Sequence, residues 1–501
     1  MKRTSALIAL LATSCTTMEP KLDRVDPAIP ASWPIASPEL AQSEAALPAV
    51  TYKQIFTDPR LQTLIAQALV NNRDLMAAAS NVAAAREQYR IQRAQQFPQL
   101  DASAGVTVSG KRSNSNSGSS SGSNSENSGS GVSANYTAGL SVPSFEVDLF
   151  GRLRSLTHAQ FERYLATEAG ARETRLALVA QIANSWLDYA ADSSLLLVSQ
   201  ETVKASQDSV RLTRIRLEGG IAPRTDLSQA QEILSQAQAK LAEQRTLVVQ
   251  DVNALQLLVG APIAPSLLPP SIEQAGPTVA ELPAGVSSYV LLRRPDVIQA
   301  EYQLRAANAD IGAARAALFP KITLTGLLGF ASSALASLFT GGAFGWSVGA
   351  NAAYTIFNAG AGHANVRLSE AQRNAALATY QGAVQTAFRE VADALARRAT
   401  MDEQLAATQR QQAAAADVLS LEEARYRAGI DSFLNVLDAQ RSYYGVQQTL
   451  VNTRRTSAQN RVSIYQSLGG DALIENSPLC SVNYLGSSGG AGLATDCNKT
   501  A

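Results

Sequence analysis

The sequence is short of the residues that most enzyme and metal chemistry needs. It has two histidines, His158 and His363, and three cysteines, Cys15, Cys480 and Cys497. Neither type clusters at metal-ligand spacing, so no zinc site, resident cofactor or histidine-based catalytic centre is expected. Net charge is missing too, because 42 Lys+Arg balance 42 Asp+Glu. A chain without a basic field has no electrostatic footprint for nucleic acid. Four methionines, the first residue included, offer no soft-metal relay. Beyond the amino terminus no apolar run reaches the ~18 residues of a membrane-spanning helix. Proline is absent from Leu153 to Glu218 and again from Ala364 to Ala428.

The amino terminus supplies the first positive signal. "MKRTSALIALLATSC" opens with Lys2 and Arg3, continues with an apolar run from Ala6 to Ala12, and ends in small residues before Cys15. Charge, length and composition are those of a secretory signal, too short for a stable membrane span. The ending "ATSC" resembles a bacterial lipobox, with Ala12 where leucine is usual. That resemblance implies cleavage before Cys15 and lipidation of its thiol, and Thr16, not aspartate, follows as in lipoproteins sent to the outer membrane. The alternative is an ordinary signal peptide cut near Ala12 with Cys15 a free thiol. In the lipidated case Cys480 and Cys497 remain, and an even remainder in an exported chain reads as one disulfide in the tail.

What is abundant is repetition. "RLEGGIAPRTDLSQAQE" and "RYRAGIDSFLNVLDAQR" align with Gly220 on Gly429 and Gln231 on Gln440, an offset of 209. Further upstream, Asp74 aligns with Asp296 and Phe97-Pro98 with Phe319-Pro320 at an offset of 222, whereas Phe150 meets Phe357 at 207. The first repeat therefore carries about 15 extra residues, and residues 110–131 hold them as a Ser/Gly/Asn tract with almost nothing to bury. The expected organisation is a signal peptide at 1–14, a lipidated extended segment at 15–59 and a first repeat at 60–258. A linker at 259–285, a second repeat at 286–470 and a tail at 471–501 complete it.

Each repeat reads as helix, Phe-Pro stop, two strands, long helix, glycine turn, long helix. From Val132 to Val142 the even positions are apolar, and after Pro143 the parity flips to Phe145, Val147 and Leu149. A bulge or strand exit at the proline explains the flip. Residues 344–356 alternate likewise, and 102–108 and 322–328 more weakly. The polar partners are small, which fits a membrane barrel with lipid on one side and water on the other. A soluble sandwich is the competing reading, and four strands close a useful pore only if several copies contribute. The proline-free stretches predict helices of roughly 100 Å each at 1.5 Å per residue. Such helices need lateral partners. Alanine-rich seams without leucine heptads predict a wall of side-by-side helices, not a two-stranded coiled coil.

Taken together, the Phe-Pro pairs, "EVDLFGRLR", "LLRRPDVIQAE", "RYRAGIDSFLNVLDAQRSYY" and "SLGG" resemble the TolC-like outer-membrane efflux proteins, over roughly residues 50–470. The narrower likeness is to the OprM/NodT lipoprotein branch that serves RND-type pumps. The resemblance implies an α+β homotrimer, with four strands per chain forming a twelve-stranded outer-membrane barrel that continues into a long helical periplasmic barrel. Its implied partners are outer-membrane lipid, a periplasmic adaptor protein and an inner-membrane RND-type transporter. It implies no catalytic residue.

Carried onto this chain, the resemblance makes the two glycine turns the periplasmic hairpin tips. Arg216, Gly219, Gly220 and Asp226 of the first tip, and Arg425, Tyr426 and Gly429 of the second, would face the adaptor. Leu434, Asp438 and Arg441 share one helix face by their spacing and stand where related channels narrow to a gate. An ordinary Asp–Arg surface pair is the plainer reading of the last two. Asp431 and Asn435 replace residues of the TolC latch, so the resemblance does not carry that latch over. A Tyr426–Asp226 bond across the tips stays open to the chain, and charge near the opening would depend on Asp431, Asp438 and Arg441. The rival functions are a trimeric surface stalk or adhesin, an outer-membrane duct for another exporter class such as type I secretion, and a periplasmic enzyme.

Overall fold

The computed structural model describes residues 17–22, 51–110, 132–280 and 288–470. Cys15, Cys480, Cys497 and all but the first residue of the Ser/Gly/Asn tract lie outside the described residues. The elements repeat in order. After two short helices, α1 (Tyr52–Ile55) and α2 (Pro59–Asn71), come α3 (Arg73–Ala94), β1 (Asp101–Gly110), β2 (Val132–Val147), α4 (Arg152–Glu218) and α5 (Arg224–Val259). A linker of short helical turns, with α6 at Ile272–Ala275, leads to α7 (Pro295–Ala316), β3 (Lys321–Ser332), β4 (Phe344–Ala353), α8 (Ala361–Arg427) and α9 (Phe433–Ser467). The matched helices have matched lengths: 22 residues in α3 and α7, 67 in α4 and α8, 36 and 35 in α5 and α9. Backbone conformation repeats as well. Gly151 and Gly360, Gly220 and Gly429, and Gly260 and Gly469 all have positive φ, and each pair is 209 positions apart.

Two compact units divide the chain. The first comprises residues 1–25, 84–165 and 302–378; the second comprises 26–83, 166–301 and 379–501. In the first unit the strands form one antiparallel sheet in the order β1-β2-β3-β4. Its register puts Val106 opposite Tyr136, Leu140 opposite Leu328, and Leu328 opposite Trp346 on one face. The other face carries Thr107 opposite Asn135, Ser109 opposite Ser133, and Thr323 opposite Asn351, with Leu327 its one large apolar side chain. Trp346, Val348 and Val108 remain 71%, 75% and 62% exposed, so much of the apolar face has no cover from the described residues. Such a sheet needs another apolar medium against it.

The parity flip at Pro143 is a bulge. Between the Val142–Gly326 and Phe145–Leu324 pairs β2 contains one residue more than β3. Proline suits that place because a bulged residue is excused from the ladder. β4 stops at Ala353, three residues short of the predicted end, because its partner β3 begins at Lys321 and offers Tyr354 nothing to pair with.

The second unit has a conventional core. Trp186, Ile182 and Leu187 of α4, Leu61, Leu64 and Ile65 of α2, and Leu255 of α5 are fully buried. The Trp186 indole N–H donates to the Leu267 carbonyl at 3.2 Å, which satisfies its one polar atom. Alanines 180, 183, 190 and 191 line the buried side of α4, so small side chains mark its packing seam. Arg294 is 8% exposed yet fully engaged. Its guanidinium forks onto Asp296 (3.0 and 2.7 Å), reaches Glu390 at 2.8 Å and donates to the Ser467 carbonyl at 2.9 Å. One cation thus joins α7, α8 and α9. Among the described residues, no helix is long and apolar enough to cross a membrane.

Candidate functional site

Both glycine turns close in the same way. At the first, the Gly220 N–H donates to Leu217 O at 3.0 Å and Ile221 N–H to Arg216 O at 2.8 Å. At the second, Gly429 N–H donates to Tyr426 O at 3.0 Å and Ile430 N–H to Arg425 O at 2.9 Å. This is the Schellman cap, which needs a left-handed residue just past the helix end. Gly220 (φ +71°) and Gly429 (φ +79°) supply it without the steric cost a side chain would carry. Gly219 has no positive φ, and a Cβ there would meet only ordinary contacts at 3.5 Å and beyond. The turn does not require it.

The caps push apolar side chains outward. Ile221 is 71% and Ile430 68% exposed. Beneath them a small core of Val210, Ala230, Tyr426, Phe433, Val436 and Leu437 ties the two hairpins together. Arg216 bridges them: its Nη1 donates to Tyr426 O at 2.8 Å, and the guanidinium lies 4.5 Å from the Tyr426 ring centroid. The bond that stayed open between Tyr426 and Asp226 is not made. The Tyr426 hydroxyl is buried without a hydrogen-bond partner, because the ring packs on Phe433 at 5.3 Å and lies under Arg216. Burial, more than the nearby Asp226 charge, raises the Tyr426 pKa against the opposing pull of Arg216. Asp226 sits half-buried in the first turn of α5.

On the second tip Arg425 pairs with Asp431, whose other oxygen accepts from Asn435 at 3.4 Å. Asp431 is therefore committed to holding the turn, and the charge of this tip is partly neutralised within it. Leu434 is 54% exposed; the side chains of Asp438 and Arg441 are 67% and 74% exposed and 4.0 Å apart. The α9 positions between them, Val436, Leu437 and Gln440, are buried. Leu434, Asp438 and Arg441 thus form the face of α9 turned away from the chain's own tip core.

A polar cluster that periodicity could not reveal lies farther along the same helices. Asp188 Oδ1 accepts from Gln459 at 2.9 Å and stands 3.5 Å from Arg455 Nη1. Asp251 Oδ2 is buried without a hydrogen-bond partner. Burial, and then the neighbouring Asp192 carboxylate, push the Asp251 pKa up to about 7. These residues come from helices far apart in the chain, and the sequence offers no shared spacing by which to find them.

The outer membrane efflux protein family matches residues 64–261 and 286–470. The probable efflux pump outer membrane protein TtgC of Pseudomonas putida is 41% identical over 468 residues, 93% of this chain and 94% of the relative. The cation efflux system protein CusC of Escherichia coli is 35% identical over 467 residues, 92% of this chain and 98% of CusC. The open-state outer membrane channel MtrE of Neisseria gonorrhoeae is similar in structure with a TM-score of 0.79, at 32% identity, covering 91% of this chain and 99% of MtrE. Four strands and two long helical hairpins per chain are the α+β fold of these trimeric channels. The chain belongs to the outer membrane efflux protein family and is the outer-membrane channel of an efflux system, reaching into the periplasm.

Proposed function

We propose that this chain is a passive exit duct of a tripartite pump, without chemistry of its own, which receives a periplasmic adaptor and, through it, an RND-type inner-membrane transporter. The observation that carries the reading is the pair of identically capped tips, each presenting an exposed isoleucine above a shared core. Arg216, Gly219, Gly220, Asp226, Arg425 and Gly429 lie on the adaptor-facing tips, and Tyr426, also read from the sequence as part of that surface, is buried beneath them. In this reading Arg216 and Tyr426 hold the shape of the tip from within, while Ile221 and Ile430 supply the contact. Leu434, Asp438 and Arg441 face the axis as stacked rings that restrict passage by dewetting and charge, as channel constrictions do. Cys15 carries lipid, Cys480 and Cys497 pair in the tail, and residues 60–258 and 286–470 act as two efflux repeats. Site-specific photo-crosslinking tests the docking. A crosslinker at residue 221 or 430 should capture a periplasmic adaptor protein in the native cell envelope, and one at an exposed mid-helix position such as 249 should not. Equal capture at all three positions would remove the tips from the interface.

A further inference from the structure

The duplication is broken at one ion cluster, and a cavity lies at the break. In the second repeat the Arg294 guanidinium forks onto Asp296, meets Glu390 at 2.8 Å and donates to the Ser467 carbonyl at 2.9 Å. The repeat offsets of 222 and 209 put Asn72 in the place of Arg294 and Asp74 in that of Asp296. Gln181 likewise takes the place of Glu390, and Leu258 that of Ser467. The fold keeps this correspondence. The Asn72 amide donates to the Leu258 carbonyl at 2.8 Å, as Arg294 does to Ser467. Two residues beyond each accepting carbonyl, Gly260 and Gly469 both have positive φ.

Asparagine is too short to supply the rest of the cluster. Its Oδ1 accepts from the Leu75 N–H at 2.9 Å, so both of its polar side-chain atoms are committed to backbone. A cavity of about 390 Å³ remains beside it, lined by Asn72, Asp74, Glu173, Thr174, Leu178 and Gln181. Asn72 is buried, whereas Asp74, Glu173 and Gln181 keep surface open to solvent. Glu173 stands where the second repeat has Gly382, so the first repeat lacks the cation and gains a carboxylate. Partial burial, and then the Asp296 charge, raise the Glu173 pKa against the pull of Arg294, a cation already committed to Asp296 and Glu390.

We propose that this cavity binds a small guanidinium or alkylammonium solute, which takes in the first repeat the place that Arg294 holds in the second. Asp74 and Glu173 offer carboxylate acceptors, the Thr174 hydroxyl and the Gln181 amide oxygen offer neutral ones, and Leu178 offers an apolar wall for an alkyl chain. A planar fork of N–H donors suits such a set. Among the described residues no group of acidic, histidine or cysteine side chains could hold a metal ion, so the fitting cation is organic. Arg294 ties α7 to α8 and α9; the bound solute ties α3 to α4, while Asn72 already holds α5. One repeat thus carries its own brace, and the other takes one from solution.

Agmatine, a short chain with a guanidinium at one end and an ammonium at the other, is the probe. Assembled channels in nanodiscs should show a saturable rise in apparent melting temperature with agmatine, as ligand linkage requires. Tetramethylammonium at equal ionic strength has no N–H to donate and should give no such rise. Glu173→Gln removes one carboxylate, and Asn72→Arg fills the cavity from within. Each should raise the half-saturating concentration by about ten-fold or more, the effect of losing a charge-assisted hydrogen bond. Glu173→Gln changes an exposed position to another good helix former, so the test does not depend on whether Asn72→Arg assembles. No rise in the assembled parent, a rise that tetramethylammonium matches, or saturation unchanged in the assembled variants would overturn the site.

Discussion

At the scale of single residues, most features of the tip follow from backbone demands and a few from charge. Gly220 and Gly429 were legible because a glycine inside an otherwise glycine-poor helical stretch marks a turn. Arg216 was legible only as part of a motif; its role depends on Tyr426, 210 positions away, which no local pattern encodes. Arg216→Ala removes a charge-assisted bond and a cation–π contact, together about 2 kcal/mol at a half-buried site. Amide exchange at residues 427–432 should accelerate by about ten-fold or more, with partial recovery in Arg216→Lys. Asp251 makes a pH-dependent prediction. Its folded pKa, about 7, lies above the ordinary 3.8, so its protonated form favours the fold. The contribution is complete below the ordinary value and is lost as pH rises through about 7. Asp251→Asn should therefore flatten the loss of stability between pH 5 and pH 8 and raise stability at pH 8 by about 2 kcal/mol, a figure already reduced for partial exposure. Urea denaturation across that range measures it. An unchanged pH slope would show that Asp251 is ionised throughout.

At the scale of elements the duplication was plain in the sequence because helices, strands and stops recur in one order with nearly constant offsets. The strands were legible from alternation, and Pro143 marked its own bulge through the parity flip. The ends of β4 were not, since a strand stops where its partner stops, and that is a property of pairing. The repeated left-handed glycines at 151/360 and 260/469 also escaped notice, because a single glycine beside a helix end is common. Nothing near Glu19 in the sequence announces a contact 139 positions away at His158. Two element-scale outcomes are expected. Arg294→Ala strands Asp296 and Glu390 around a lost cation, and loosening of α7 from α8 and α9 should cost about 3 kcal/mol, read as a lower urea midpoint. Removing residues 113–127 should leave assembly intact, because the second repeat joins its strands without a counterpart and loop length changes closure entropy slowly. Loss of the assembled form on native gels would place that tract inside the fold.

At the scale of the whole molecule, a duct needs walls, a lipid-facing band and a controllable opening. A sheet with one exposed apolar face, and paired hairpins whose tips share a core, meet the first two needs within one chain. The opening is the central claim, and single-channel recording of the purified protein in planar bilayers tests it most directly. The account predicts discrete conductance steps in the parent, a higher basal current in Leu434→Ser as the apolar ring loosens, and loss of cation preference in Asp438→Ala as the charged ring disappears. Yield of assembled channel should stay near the parent's in both, because these side chains point away from the tip core. Variants that conduct like the parent, with the same ion preference, would contradict the account and return Leu434, Asp438 and Arg441 to an ordinary helix surface.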